Sequence, residues 1–135
     1  MVNLELIADG ITELSKSIHS DNVTKGFYDN PMDDLSKLML VVSEVSEAAE
    51  AIRTGKFADV DKFLSIIGDE SVKTNAETFS NVFLETMKDT HEDEIADAII
   101  RLLDYAGYKK MEIGLHILAK LTYNKSRPYM HGKKM

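Results

Sequence analysis

A chain of 135 residues fits one domain and leaves little room for a second. Its 44% hydrophobic content excludes a disordered chain, and the absence of cysteine excludes disulfides and thiolate metal sites. A net charge of -7 argues against binding a nucleic-acid polymer through its phosphates. Only two prolines, beside many Ala, Leu, Glu, Lys and Met, favour helices, and no stretch alternates as a strand would. Glu5, Asp9 and Glu13 interrupt the start of the chain, so it lacks the continuous apolar run of a signal peptide. No run approaches the roughly 20 apolar residues of a membrane span. The expectation is a soluble, cytoplasmic protein with no membrane partner.

In chain order, Leu4, Ile7, Ile11, Leu14 and Ile18 recur at spacings of three and four and predict one apolar helical face. Ser20 to Pro31 reads as a polar loop. Asp33 or Asp34 caps a second helix that runs to about Thr54 and stops at Gly55. Its expected core seam is Leu35, Leu38, Val42, Val45, Ala49 and Ile52. Phe57 to Ile67 holds a short helix closed by Gly68, Asp69 to Asn75 reads as a loop, and Glu77 to Lys88 reads as helix. Asp89 and Thr90 cap a helix from about His91 to Gly107, with Ile95, Ile99, Leu102, Leu103 and Ala106 toward the core. The last helix runs from about Lys109 to Lys125, before Pro128. The predicted fold is a single all-α domain over residues 1–135, a four-helix-type bundle with a helical insertion.

Two pairs of acids carry the functional signal. On the second helix Leu40, Glu44, Glu47 and Ala51 form one line, continuous with an apolar stretch from Leu38 to Val42. That stretch is apolar all round, as in a helix buried on several sides or between subunits. A carboxylate entering such a layer needs a cation or hydrogen bonds. Glu94, Asp97, Arg101 and Asp104 form a similar line on a later helix. Each line taken alone reads more simply as a solvated stripe, the second with an Asp97–Arg101 pair. Together, two helices that each offer acids three apart can build an all-oxygen box. Such a box suits magnesium, with manganese as the alternative, rather than zinc. A di-iron bundle would need a Glu-x-x-His motif twice, and no histidine here has an acid three residues before it.

Charge is uneven along the chain. From Lys109 onward the net charge is +6, which leaves -13 for the rest. Lys120, Tyr123, Asn124 and Arg127 share one face at the end of the last helix, and Lys125 lies beside them. Basic groups there complement the helix dipole, and they also offer phosphate ligands.

These residues resemble the MazG-like nucleotide pyrophosphohydrolases, relatives of the dimeric all-α dUTPases. Ser43 to Arg53 looks like the family's Glu-x-x-Glu helix, and Glu92 to Asp97 looks like its Glu-x-x-Asp helix. Lys120 to Lys134, with Tyr123-Asn124-Lys125-Ser126-Arg127-Pro128-Tyr129-Met130-His131-Gly132-Lys133-Lys134, is similar to a C-terminal stretch of small members. Gly26-Phe27-Tyr28 looks like an element that precedes the first acidic helix. The resemblance spans roughly Lys25 to Lys134. The segment from Phe57 to Lys88 is longer than is usual in the family and reads as an insertion.

The resemblance implies hydrolysis of a ribo- or deoxyribonucleoside triphosphate to the monophosphate and pyrophosphate. Glu44, Glu47, Glu94 and Asp97 would hold Mg2+. Glu47, with Glu44, would serve catalysis, Glu47 by orienting the attacking water. Lys120, Arg127 and Lys125 would offset phosphate charge, with Tyr123 on the same face, and Asn124 would meet the sugar or base. Phe27 and Tyr28 would either stack on the base or pack their loop. Family members of this size are homodimers or homotetramers. The competing reading is a non-catalytic helical module that binds nucleotide or a protein, and a third keeps the reaction but acts on a phosphoribosyl nucleotide.

Overall fold

The structure is a computed structural model that describes residues 1–132; Lys133 and Lys134 of the basic tail lie outside the described residues. Among these the chain is all-helical. Its elements are α1 (Leu4–Thr24), α2 (Asp34–Arg53), α3 (Val60–Ile67), α4 (Glu70–Thr74), α5 (Ala76–Thr86), α6 (His91–Tyr108) and α7 (Ile113–Lys125), then a 3-10 turn at Tyr129–Gly132. No helix is long and apolar enough to cross a membrane.

Helix ends follow local chemistry. α1 continues through Ser20–Thr24, where a loop was expected, and stops only at Gly26. There φ is +85°, and the Phe27 N–H reaches back to the Asn22 carbonyl. Glycine adopts that left-handed geometry without a Cβ penalty. Gly55 ends α2 in the same way at φ +69°, as the sequence predicts, with the Lys56 N–H on the Ala51 carbonyl. α7 starts four residues later than expected because Lys110 takes the left-handed turn at φ +55°, with the Met111 N–H on the Ala106 carbonyl. The stretch expected as a loop at Asp69–Asn75 contains α4, since the Asp69 carboxylate accepts from the Ser71 N–H and caps it. Thr90 Oγ1 accepts from the Asp93 N–H at the start of α6.

The chain forms two compact units. One gathers Met1–Asp33 with the chain from Leu102 onward, and the other is Asp34–Arg101. In the first, α1 packs on α7 and on the last turns of α6 through small residues. Ala8, Thr12 and Ser15 are buried, whereas Leu4, Ile7 and Leu14 of the expected apolar face are exposed. Gly107 and Gly114 explain the choice. A Cβ on Gly107 would press on the Ser15 backbone, and one on Gly114 would overlap the Ala8 carbonyl. Helices this close leave no room for Leu or Ile between them. Thr12 Oγ1 accepts the Gly114 N–H at 2.9 Å, which satisfies a helix-start donor in a dry place.

The same inversion governs the second unit. The expected α2 seam is not buried: Leu35, Leu38, Val42, Val45 and Ile52 are all exposed in the single chain, and so is Ala49. The buried α2 residues are Glu44, Ala48 and Ala51, the line that carries the acids. On α6, Glu94 and Ala98 are buried, while Ile95 and Ile99 are exposed. The Leu102 side chain is exposed too, and of the expected α6 core only Ala106, in the first unit, is buried. Apolar periodicity identifies a surface that must leave water but not which partner covers it.

The residues just after α2 are tied to the start of α6. The Ala58 N–H donates to Glu92 Oε2 at 2.9 Å, and the His91 N–H donates to the Lys56 carbonyl at 2.9 Å. Phe63 of α3 and Phe79 of α5 meet edge to face at 5.9 Å.

Candidate metal centre

Because α2 turns its Glu44–Ala48–Ala51 line inward and α6 turns its Glu94–Ala98 line inward, acids from two helices converge. Carboxylate oxygens of Glu44, Glu94 and Asp97 all lie within 4.8 Å of one another. Glu44 is 8% exposed and Glu94 6%, while Asp97 is exposed. Ala48 of α2 and Ala98 of α6, each four residues beyond a buried acid, are buried as well. A side chain ties the two helices together: His91 Nδ1 lies 3.2 Å from the Ala48 carbonyl. Glu47 stands at the solvent side of the cluster, accepting a long hydrogen bond from Ser43 Oγ, and its charge is felt by Glu94. A second group, Asp89, Asp93 and Glu94, shares Glu94 with the first.

Two of the three acids are shifted toward the protonated form. The Glu94 carboxyl is pushed up from an ordinary 4.5 to about 7. Burial is the main cause, followed by the charge of Glu47, then a hydrogen bond and charge from Glu44, then the charge of Asp93. Asp97 is raised as well, by partial desolvation first and then by Asp93 and Glu44, against the opposing pull of Arg101 and Lys88. Burying like charges together is costly unless something neutralises them. Arg101 does so in part: its Nε donates to Glu44 Oε1 at 2.6 Å. The alternative pairing expected on one helix, Asp97 with Arg101, gives way to this bond between helices.

The donor set fits a hard divalent ion. All the converging atoms are carboxylate oxygens, and neither group contains His. Such sites suit magnesium or manganese better than zinc. A dipositive charge would offset the like-charge repulsion that adds to burial in raising Glu94 and Asp97.

The remaining expected site residues lie in the first unit. Lys120, Tyr123, Asn124 and Lys125 are on α7, and Arg127 follows it. Lys120 Nζ is 5.1 Å from the Tyr123 ring centre and the Arg127 guanidinium is 5.9 Å from it, so two cations lie near one exposed aromatic ring. Asn124 Oδ1 is buried with no hydrogen-bond partner. Phe27 and Tyr28 part company. Phe27 is exposed, whereas the Tyr28 hydroxyl donates to Asp104 Oδ2 at 2.8 Å and its ring packs on His19 and Tyr108. Burial and then the Asp104 carboxylate push the Tyr28 hydroxyl well above its usual range. His19 Nδ1 meets the other oxygen of Asp104 at 3.1 Å. Sequence reading placed Asp104 on the acid line of α6 but gave no signal for His19 or Tyr108, because their partners come from distant segments.

No protein-family model, curated protein or solved structure matches this chain.

Proposed function

We propose that the chain is a magnesium-dependent nucleoside triphosphate pyrophosphohydrolase with an all-α bundle of the MazG-like kind, releasing the monophosphate and pyrophosphate. The observation that carries this reading is the convergence of Glu44, Glu94 and Asp97 from two helices into one oxygen-only cluster that Arg101 neutralises only in part. The order of the two acidic motifs along the chain, followed by a basic end, supports the substrate class.

In this reading Glu44, Glu94 and Asp97 hold the ion, and Glu47 joins them or holds the attacking water. A bound divalent ion supplies charge stabilisation to the phosphate oxygens and makes a nearby water more acidic. Glu47, exposed beside the buried acids, is the group free to orient that water and accept its proton. Lys120, Lys125 and Arg127 are proposed to offset phosphate charge and Asn124 to meet the sugar or base, with Tyr123 beside them. Of the two aromatics, Phe27 is the better candidate for stacking on a base, since Tyr28 is committed to Asp104.

The test is a panel of natural and modified nucleoside triphosphates with magnesium, scored for pyrophosphate against phosphate. Wild type is expected to release pyrophosphate. Glu44→Gln or Asp97→Asn is expected to lower kcat by about a hundredfold or more, the scale on which charged active-site groups act, with helicity unchanged. Full activity in both variants would remove these acids from the site.

We further propose that the working form is a homodimer or homotetramer. Leu35, Leu38, Met39, Val42, Val45 and Ile52 leave the α2 face apolar and uncovered in the single chain. Among the described residues, no side chain larger than Ser15 is completely buried. A fold so poor in buried large side chains is short of hydrophobic stabilisation on its own. Light scattering on the eluting protein is expected to give a mass of two or four chains, and Val42→Glu with Val45→Glu is expected to dissociate it. A monodisperse, stable monomer would contradict this.

A further inference from the structure

Arg101 is the one cation among the described residues that forms an ion pair with a member of the Glu44–Glu94–Asp97 cluster. It uses only part of its bonding capacity there. The Nε–H is spent on Glu44 Oε1, and the two terminal nitrogens donate to no other group among the described residues. The Arg101 side chain is 43% exposed, against 10% for Glu44. The guanidinium is therefore tethered through Nε to a buried carboxylate, on a side chain that is itself partly exposed. It sits on the helix that supplies Glu94 and Asp97, one turn beyond Asp97.

This differs from a plain neutralising pair. A carboxylate that engages arginine for charge alone commonly takes both prongs of the fork. Here one bond tethers the guanidinium at its Nε edge and leaves both terminal nitrogens without a partner among the described residues. An arginine held in place in this way loses little freedom when it grips an anion. Charge makes the same point. A triphosphate chain brings more negative charge to an already acidic cluster than a single divalent ion offsets, so a fixed cation at the rim is needed.

Resting on the pyrophosphohydrolase reading above, we propose that Arg101 is a substrate-binding residue whose terminal nitrogens grip the phosphate chain beside the metal, with Glu44 as both metal ligand and the anchor that aims it.

The experiment is calorimetric titration of the full-length protein with magnesium alone and then with inorganic pyrophosphate at saturating magnesium. Wild type, Arg101→Lys and Arg101→Gln are compared. Both variants are expected to retain magnesium binding. Arg101→Gln is expected to bind pyrophosphate at least about tenfold more weakly, the effect of losing one charge-assisted contact. Arg101→Lys, which keeps charge but loses the fork, is expected to recover only part of that affinity. Unchanged pyrophosphate affinity in both variants overturns the proposal, as does a loss that merely follows a loss of magnesium. A wild-type protein that binds neither magnesium nor pyrophosphate sinks the metal-site reading itself. A wild type that binds both, with variants indistinguishable from it, sinks only the role of Arg101.

Discussion

Glu94→Gln is expected to make the metal-free protein more stable at pH 8 while removing its response to magnesium. The Glu94 carboxyl titrates at about 7 in the folded chain, against an ordinary 4.5. Between those values the folded chain holds a proton that the unfolded chain has released, so stability falls as pH rises through this window. Above pH 7 the full deficit is present, on the order of 3 kcal/mol for this group by the usual conversion of a pKa difference. Below pH 4.5 both states are protonated and the group contributes nothing.

Glutamine imitates the protonated acid in shape and can still donate to Glu44. The variant is therefore expected to lack this part of the downward slope and to exceed wild type at pH 8 by roughly 1–3 kcal/mol. Urea melts in chelator at several pH values measure this. Magnesium is expected to raise the stability of wild type by mass action and leave the variant nearly unmoved. A glutamine variant less stable than wild type at pH 8 without metal would show that Glu94 is not under electrostatic strain.

The second large effect is steric and belongs to the other unit. Gly114→Ala is expected to cost about 3 kcal/mol or more, since the new methyl would overlap the Ala8 carbonyl, backbone that cannot turn aside. The shift would also draw the Gly114 N–H away from Thr12 Oγ1, leaving a buried donor unpaired. Gly107→Ala is expected to act in the same direction, against the Ser15 backbone and the Cβ of His19. Gly10→Ala is the control. It sits inside α1 with nothing within 4 Å of the added atom, so the better helix former is expected to stabilise by up to about 1 kcal/mol. Equal, small effects at all three positions in urea denaturation would contradict the close packing of α1.

The contrast between glycines shows where sequence reading succeeds. Gly55 marks the end of α2 because a turn residue at a helix end is a local signal. Gly107 and Gly114 carry no such mark, because what makes them matter is a backbone about a hundred residues away. The acids follow a similar division. Spacing of three residues places Glu94 and Asp97 on one stretch of α6, and the convergence with Glu44 is compatible with that spacing. Glu47 lies at the exposed edge, outside the tight group, a distinction finer than a helical wheel resolves.

The largest departure is the identity of the inward face. Val42, Val45, Ile95 and Ile99 are exposed while Glu44, Glu94, Ala48 and Ala98 are buried. A wheel ranks faces by hydrophobicity, and the more apolar face is assigned to the interior. Here the buried residues of α2 and α6 are alanines and acids. Arg101 was legible only as a neighbour of Asp97 on one helix. Its bond to Glu44 depends on how α2 and α6 meet, which no periodicity encodes.

The central physical claim is that Glu44, Glu94 and Asp97 together hold a divalent ion. Electron paramagnetic resonance of Mn2+ titrated into the purified protein reads this directly, because bound ion leaves the free-ion signal. Saturable binding is expected in wild type, displaced by excess Mg2+ and lost in both Glu44→Gln and Asp97→Asn with helicity intact. A wild-type titration that follows buffer alone, or variants that bind as wild type does, would contradict it.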